Sequence, residues 1–115
     1  MKFRPHEHIR RRADFQQVYE RGARVRGHFS TLFLLPNKLP IGRLGIAATR
    51  KLGGAVARNR AKRLIREVFR RNKVASGFDV VVVPKRELLE ASLTALETEY
   101  VHNLERSLRQ RQESG

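Results

Sequence analysis

Arg58-Asn59-Arg60 lies inside the densest run of positive charge in the chain. From Arg50 to Lys73 there are ten Lys/Arg and a single acid, Glu67. Cations at this density suit the binding of phosphates; they do not by themselves make or break bonds. The run also carries an apolar stripe. At about 100° per residue, Ala57, Ala61, Leu64, Ile65 and Val68 fall together on one side. Asn59, Lys62, Arg63, Arg66 and Arg70 fall on the other, and Arg58 and Arg60 flank the stripe. The pattern predicts a helix over about 55–72 with one face for a core and one for something densely negative.

Groups that could carry out catalysis are scarce beside it. Residues 1–75 hold only Glu7, Asp14, Glu20 and Glu67 as acids, whereas a two-metal nuclease needs several carboxylates converging on one spot. Glu67 is spaced to pair with Arg63, Arg70 or Arg71. No Gly-rich phosphate loop ending in Lys-Ser/Thr is present, no Ser/His/Asp arrangement can be defended, and there is no cysteine. His6 and His8 flank Glu7, but with His28 and His102 far off in sequence they do not make a coordination shell. These residues point to a binding subunit with no metal site of its own.

The formal charge of +14 is unevenly placed. Twenty Lys/Arg fall in residues 1–75, while residues 76–115 hold five against seven acids. A one-sided distribution indicates a binding footprint, with nucleic acid the first candidate. An anionic membrane is the weaker alternative, because the helix lacks the Trp and bulky exposed apolar residues of an interfacial helix. No stretch approaches the ~20 apolar residues of a bilayer span. The start, MKFRPHEHIRRR, lacks the apolar run of a secretory signal. The absence of cysteine fits a reducing compartment, so the expectation is a soluble cytoplasmic protein. At 115 residues the chain suffices for one domain with a real core.

The elements that must position the basic helix follow from periodicity. Residues 1–12 show none and are expected as a flexible basic arm, with a single domain over 13–112. Ala13–Arg21 suggests a short helix ended by Gly22, with Phe15, Val18 and Tyr19 on one face. Burial of aromatics favours a core role for these; stacking against bases is the alternative. A further, early strand is a candidate at Ala23–Gly27. His28–Leu35 alternates as a strand, with Phe29, Thr31, Phe33 and Leu35 on one side. In Arg43–Thr49, Leu44, Ile46 and Ala48 alternate with a low face of Arg43, Gly45, Ala47 and Thr49. Phe78–Val83 has the β-branched run of a strand buried on both faces. With the basic helix it completes a β-α-β unit whose strands are parallel. A final helix repeats Leu93, Leu96, Tyr100, Leu104 and Leu108, with Thr94 and Glu97 spaced as a capping box. Its Glu97, Glu99, Glu105 and Arg106 are expected on a solvated face. The fold class is an α/β (α+β) two-layer sandwich in the order α-β-β-β-α-β-α.

Ala55-Val56-Ala57-Arg58-Asn59-Arg60-Ala61-Lys62-Arg63-Leu64-Ile65-Arg66-Glu67 resembles the RNR motif of the protein component of bacterial ribonuclease P. The flanks agree. Arg43-Leu44-Gly45-Ile46 before Thr49-Arg50-Lys51 looks like that family's strand and basic turn. Phe78–Val83 looks like the strand after its helix, and Asp14-Phe15 through Val18-Tyr19 and Gly22 like its first helix. The likeness runs from about residue 10 to residue 110.

The resemblance implies an accessory subunit of an endoribonuclease. Its partner would be a catalytic RNA that, with Mg2+ bound mainly by the RNA, removes the 5′ leader of precursor tRNA. It implies that Arg50, Lys51, Arg58, Asn59, Arg60, Lys62, Arg63, Arg66 and Arg70 face the catalytic RNA. It also implies that the leader lies in a cleft between the first helix and the sheet, against Phe15 and Tyr19. The position where relatives often carry a further aromatic falls on Leu32. A left-handed β-α-β crossover is implied too, against the usual right-handed rule. A ribosomal or ribosome-assembly protein would share the basic helix and the sandwich but gives no reason for the RNR context.

Overall fold

Val80, Val81 and Val82 have no face that meets water; each is buried, because their strand is central in the sheet and covered on both sides. The computed structural model describes residues 7–72 and 75–114, with side chains as far as residue 109. In chain order the elements are α1 (Arg12–Arg21), β1 (Ala23–Arg26), β2 (Ser30–Pro36), β3 (Arg43–Ile46), a 3₁₀ turn (Arg50–Leu52), α2 (Ala55–Arg71), β4 (Phe78–Pro84), a second 3₁₀ segment (Arg86–Glu90) and α3 (Leu93–Ser114). The sheet order is β1-β2-β4-β3. Hairpin β1–β2 and pair β2–β4 are antiparallel, and β3–β4 is parallel.

Alternation along each strand sorts side chains into two layers. Val25, Leu32, Leu34, Leu44, Val80 and Val82 join Ala61, Ile65, Val68 and Phe69 of α2 and Leu96, Tyr100 and Leu104 of α3 in the larger core. Each fully buried Val or Leu contributes about 1.5–3 kcal/mol of transfer free energy. The other face carries a smaller cluster, in which Val81 packs with Val18 of α1 and with Ile9, flanked by Phe15, Phe33, Leu35, Ala47 and Val83. The basic helix and α1 therefore lie on opposite sides of the sheet.

The crossover's hand follows from one residue. Leu44 directs its side chain into the α2 layer while its carbonyl points away from β4, accepting from the Ile9 N–H at 2.8 Å. For L-residues this places β4 to the left of β3 when seen from the helices. The β3-α2-β4 crossover is thus left-handed, as the resemblance implied.

Residues 7–11 do not behave as the expected solvated arm. His8 bridges Leu44 in parallel register and extends the sheet beyond β3, and Ile9 is buried. One apolar residue flanked by charge is a weak signal, yet β3 offered it an unpaired edge. Residues 1–6, including His6, lie outside the described residues.

The last helix differs locally too. Its N-cap is Ser92, whose hydroxyl accepts the Ala95 N–H at 3.0 Å. Thr94 and Glu97 do not form a capping box; the Thr94 carbonyl accepts from the Thr98 hydroxyl. Glu97 instead accepts from Asn72 at 2.8 Å and pairs with Arg71 at 3.5 Å, tying α3 to the end of α2. Glu99, also expected to be merely solvated, accepts the backbone N–H groups of His28 and Phe29 at 2.6 and 2.9 Å. This clamp holds residues 27–29 as a turn, which is why β2 starts at Ser30. Among the described residues no helix is long and apolar enough to cross a membrane.

Candidate RNA interface

The first surface is the outward face of α2. Burying Ala61, Ile65, Val68 and Phe69 forces the residues about half a turn away into solvent. Asn59, Arg63 and Arg66 are exposed, and Lys62 and Arg70 are half-buried. Glu67 forms an ion pair with Arg70, which holds its carboxyl below the usual range, chiefly through that hydrogen bond. Asn59, Arg63, Arg66, Glu67 and Arg70 line an open groove of about 410 Å³.

The two arginines flanking the stripe behave differently. Arg60 donates from Nε to the Leu89 carbonyl at 3.2 Å, which fixes its stem against the second 3₁₀ segment. Arg58 is half-buried, and its Nε is enclosed without a hydrogen-bond partner among the described residues. A buried donor left unmade is costly. Before the helix, Arg50 and Lys51 are exposed on the 3₁₀ turn. Gly53 leaves that turn at φ 144°, a backbone angle favouring glycine. The first turn of α2 contains no acid, so the positive end of the helix dipole adds to these cations.

The N-terminal edge reaches the same surface. His8 titrates below its ordinary value of 6.5, first because it is partly buried, then because Arg66 and Arg10 oppose its charge, with Glu7 acting the other way.

The second surface is on the α1 side. Phe15 lies on β3 at Gly45, where a Cβ would stand 2.8 Å from two ring atoms; glycine is what lets the ring approach the strand. Phe15 and Tyr19 have centroids 6.5 Å apart, and Tyr19 meets Phe33 edge-on at 5.0 Å. Tyr19 is 40% exposed, and Phe15 and Phe33 are half-buried. The rings thus pack on the sheet and still present aromatic surface. Arg43 braces this wall. It donates to both oxygens of the buried Asp79 at 2.8 and 2.6 Å and lies 3.9 Å from Asp14 of α1. Asn37 also donates to Asp79, at 3.0 Å.

Leu32 is not part of this surface. It is 1% exposed and, opposite Val25 and Val82, points into the α2–α3 layer. A shift of one residue along a strand reverses the face, and the third aromatic beside Tyr19 is Phe33. The alternation of His28–Leu35 already placed Phe33 apart from Leu32, so the signal was present. Arg43 as a brace and His8 beside Arg66 had no local signal. Among the described residues, no three His, Cys, Asp or Glu are grouped so as to hold a metal.

Known proteins similar in sequence and fold point to one family. The family model described as Ribonuclease P matches residues 3–108. The ribonuclease P protein component of Thermotoga maritima is 40% identical over 90 residues, spanning 76% of this chain and 77% of the relative. That of Desulfovibrio desulfuricans is 44% identical over 89 residues, 74% and 68% of the two chains. Among solved structures, the RNase P protein from Thermotoga maritima superposes with a TM-score of 0.78 at 34% identity, covering 87% of this chain and 96% of that one. The Staphylococcus aureus RNase P protein gives 0.76 at 32% identity, covering 86% and 93%. Matched by the family model over nearly its whole length, and similar in sequence and fold to these proteins, the chain belongs to the ribonuclease P protein component family.

Proposed function

We propose that the chain binds the catalytic RNA of ribonuclease P through the outward face of α2 and the 5′ leader of precursor tRNA through the cleft beside α1. In this assembly the chain assists endonucleolytic removal of the leader. The observation that carries the proposal is the pairing of two different surfaces on opposite faces of one sheet. One is a cationic groove around Asn59, Arg63 and Arg66, suited to a folded polyanion. The other exposes part of three neighbouring rings, suited to unpaired bases, which stack at about 1–3 kcal/mol each with little sequence preference.

The chain's own residues position and neutralise. The exposed Arg63 and Arg66 reduce repulsion between two RNAs. Phe15, Tyr19 and Phe33 bind a part of the substrate that mature tRNA does not have. Two acids near these surfaces are already engaged, Asp79 by Arg43 and Asn37 and Glu67 by Arg70. Magnesium ions bound mainly by the RNA supply the hydrolytic chemistry.

The test is cleavage of precursor tRNA at low magnesium by the protein alone, a bacterial catalytic RNA alone, and both together. Enhancement only in the mixture supports the proposal. Cleavage by the protein alone would overturn it.

A further inference from the structure

β1 is an edge strand whose two faces differ sharply. Val25 is buried opposite Leu32 in the helical layer. Arg24 and Arg26 therefore project from the other face, the side of α1 and the aromatic rings. Both are exposed. In the hairpin register Arg24 is opposite Phe33 and Arg26 opposite Thr31, so the cations begin beside the ring that meets Tyr19. Neither forms an ion pair among the described residues. The turn beyond them is fixed from behind, by Glu99 on the His28 and Phe29 N–H groups and by Lys85 Nζ donating to the Gly27 carbonyl at 2.6 Å. The arginines thus stand on a held strand and not on a loose loop.

Resting on the cleft assignment above, we propose that Arg24 and Arg26 prolong the cleft to the edge of the sheet. There they hold phosphates of leader nucleotides beyond those stacked on Tyr19 and Phe33. Alternate residues on one strand face are about 7 Å apart, comparable with one step of an extended single strand. Phosphate contacts of this kind set the path of the RNA and carry no sequence preference. The competing account is that charge on an edge strand merely prevents edge-to-edge pairing.

Holoenzyme assembled from the full chain and catalytic RNA distinguishes these. Precursors are compared whose leaders grow one nucleotide at a time, using wild type, an Arg24→Gln/Arg26→Gln variant and an Arg24→Lys/Arg26→Lys variant. Wild-type affinity is expected to rise with leader length to a plateau. The Gln variant matches it on the shortest leaders, then levels off one or two nucleotides sooner. On long leaders it binds roughly twentyfold more weakly at about 0.1 M salt, converging with wild type near 1 M, and its log–log salt slope is shallower by about 1.4. The Lys variant recovers most of the loss.

Equal loss at every leader length would overturn the proposal and assign the arginines to the catalytic RNA or the tRNA body. Aggregation of the Gln variant with unchanged leader dependence would reduce them to edge protection. A wild-type enzyme indifferent to leader length removes the cleft assignment itself, and this proposal with it.

Discussion

Leu32 and Phe33 are neighbours in sequence and face opposite layers. Leu32→Ala should therefore cost about 2–5 kcal/mol of stability, as large-to-small core changes do, measured by denaturant unfolding. Phe33→Ala should instead weaken precursor binding by about 1–3 kcal/mol while leaving mature tRNA binding nearly unchanged; equal loss for both RNAs would count against the cleft. Which face each residue occupies was legible from alternation, but the resemblance placed the extra aromatic position one residue early, on the core side. Phe15 and Tyr19 could not be divided between core and surface by sequence, because each ring packs on the sheet and still leaves part of its surface open. His8 yields a pH prediction. Its folded pKa is lowered from 6.5, chiefly by burial and then by Arg66 and Arg10, so the unfolded segment binds protons more readily. The docking of residues 7–11 is unaffected by His8 above pH 6.5 and is weakened as pH falls from there through the lowered folded value. Hydrogen-exchange protection of the Ile9 N–H, corrected for its intrinsic rate, should drop on acidification; constant protection would exclude His8 as the cause.

At the scale of elements, α2 was the most legible part of the chain, since its stripe and its charges obey one period. Phe69 extends the buried face beyond the five residues of the expected stripe. The start of α3 was less legible. Ser92 and Thr94 both offer a cap two residues apart, and the choice is made by Glu97 being drawn to Asn72 and Arg71. The Glu99 clamp joins residues 71 positions apart, a contact that no local pattern encodes. Glu99→Ala removes both acceptors of the β1–β2 turn and should cost about 1–3 kcal/mol, read as a lower urea midpoint. Glu99→Gln, which keeps one neutral acceptor, should lose less. If neither variant shifts the midpoint, the turn does not depend on the clamp.

For the whole molecule, the element order was legible and the strand order was not, because pairing of β2 with β4 and docking of His8 beside β3 are long-range choices. The uneven charge becomes spatial: α3 carries acids that tie down α2 and a turn, while the outer face of α2 remains cationic. If six to ten phosphates are neutralised, affinity for the catalytic RNA should fall about a thousand- to a hundred-thousand-fold between about 50 and 200 mM salt. A flat salt dependence in a binding titration would contradict the role of α2. The place of β4 has a further consequence, for synthesis. It lies between β2 and β3, yet it is the last strand to be made. Until Phe78–Pro84 has emerged, β2 has a partner on one edge only and β3 has none but residues 8–9. Chains are extended at about 5–20 residues per second, so both edges stay open while α2 is translated. The four-stranded sheet cannot be completed before then, when a nascent chain already carrying most of its positive charge receives β4.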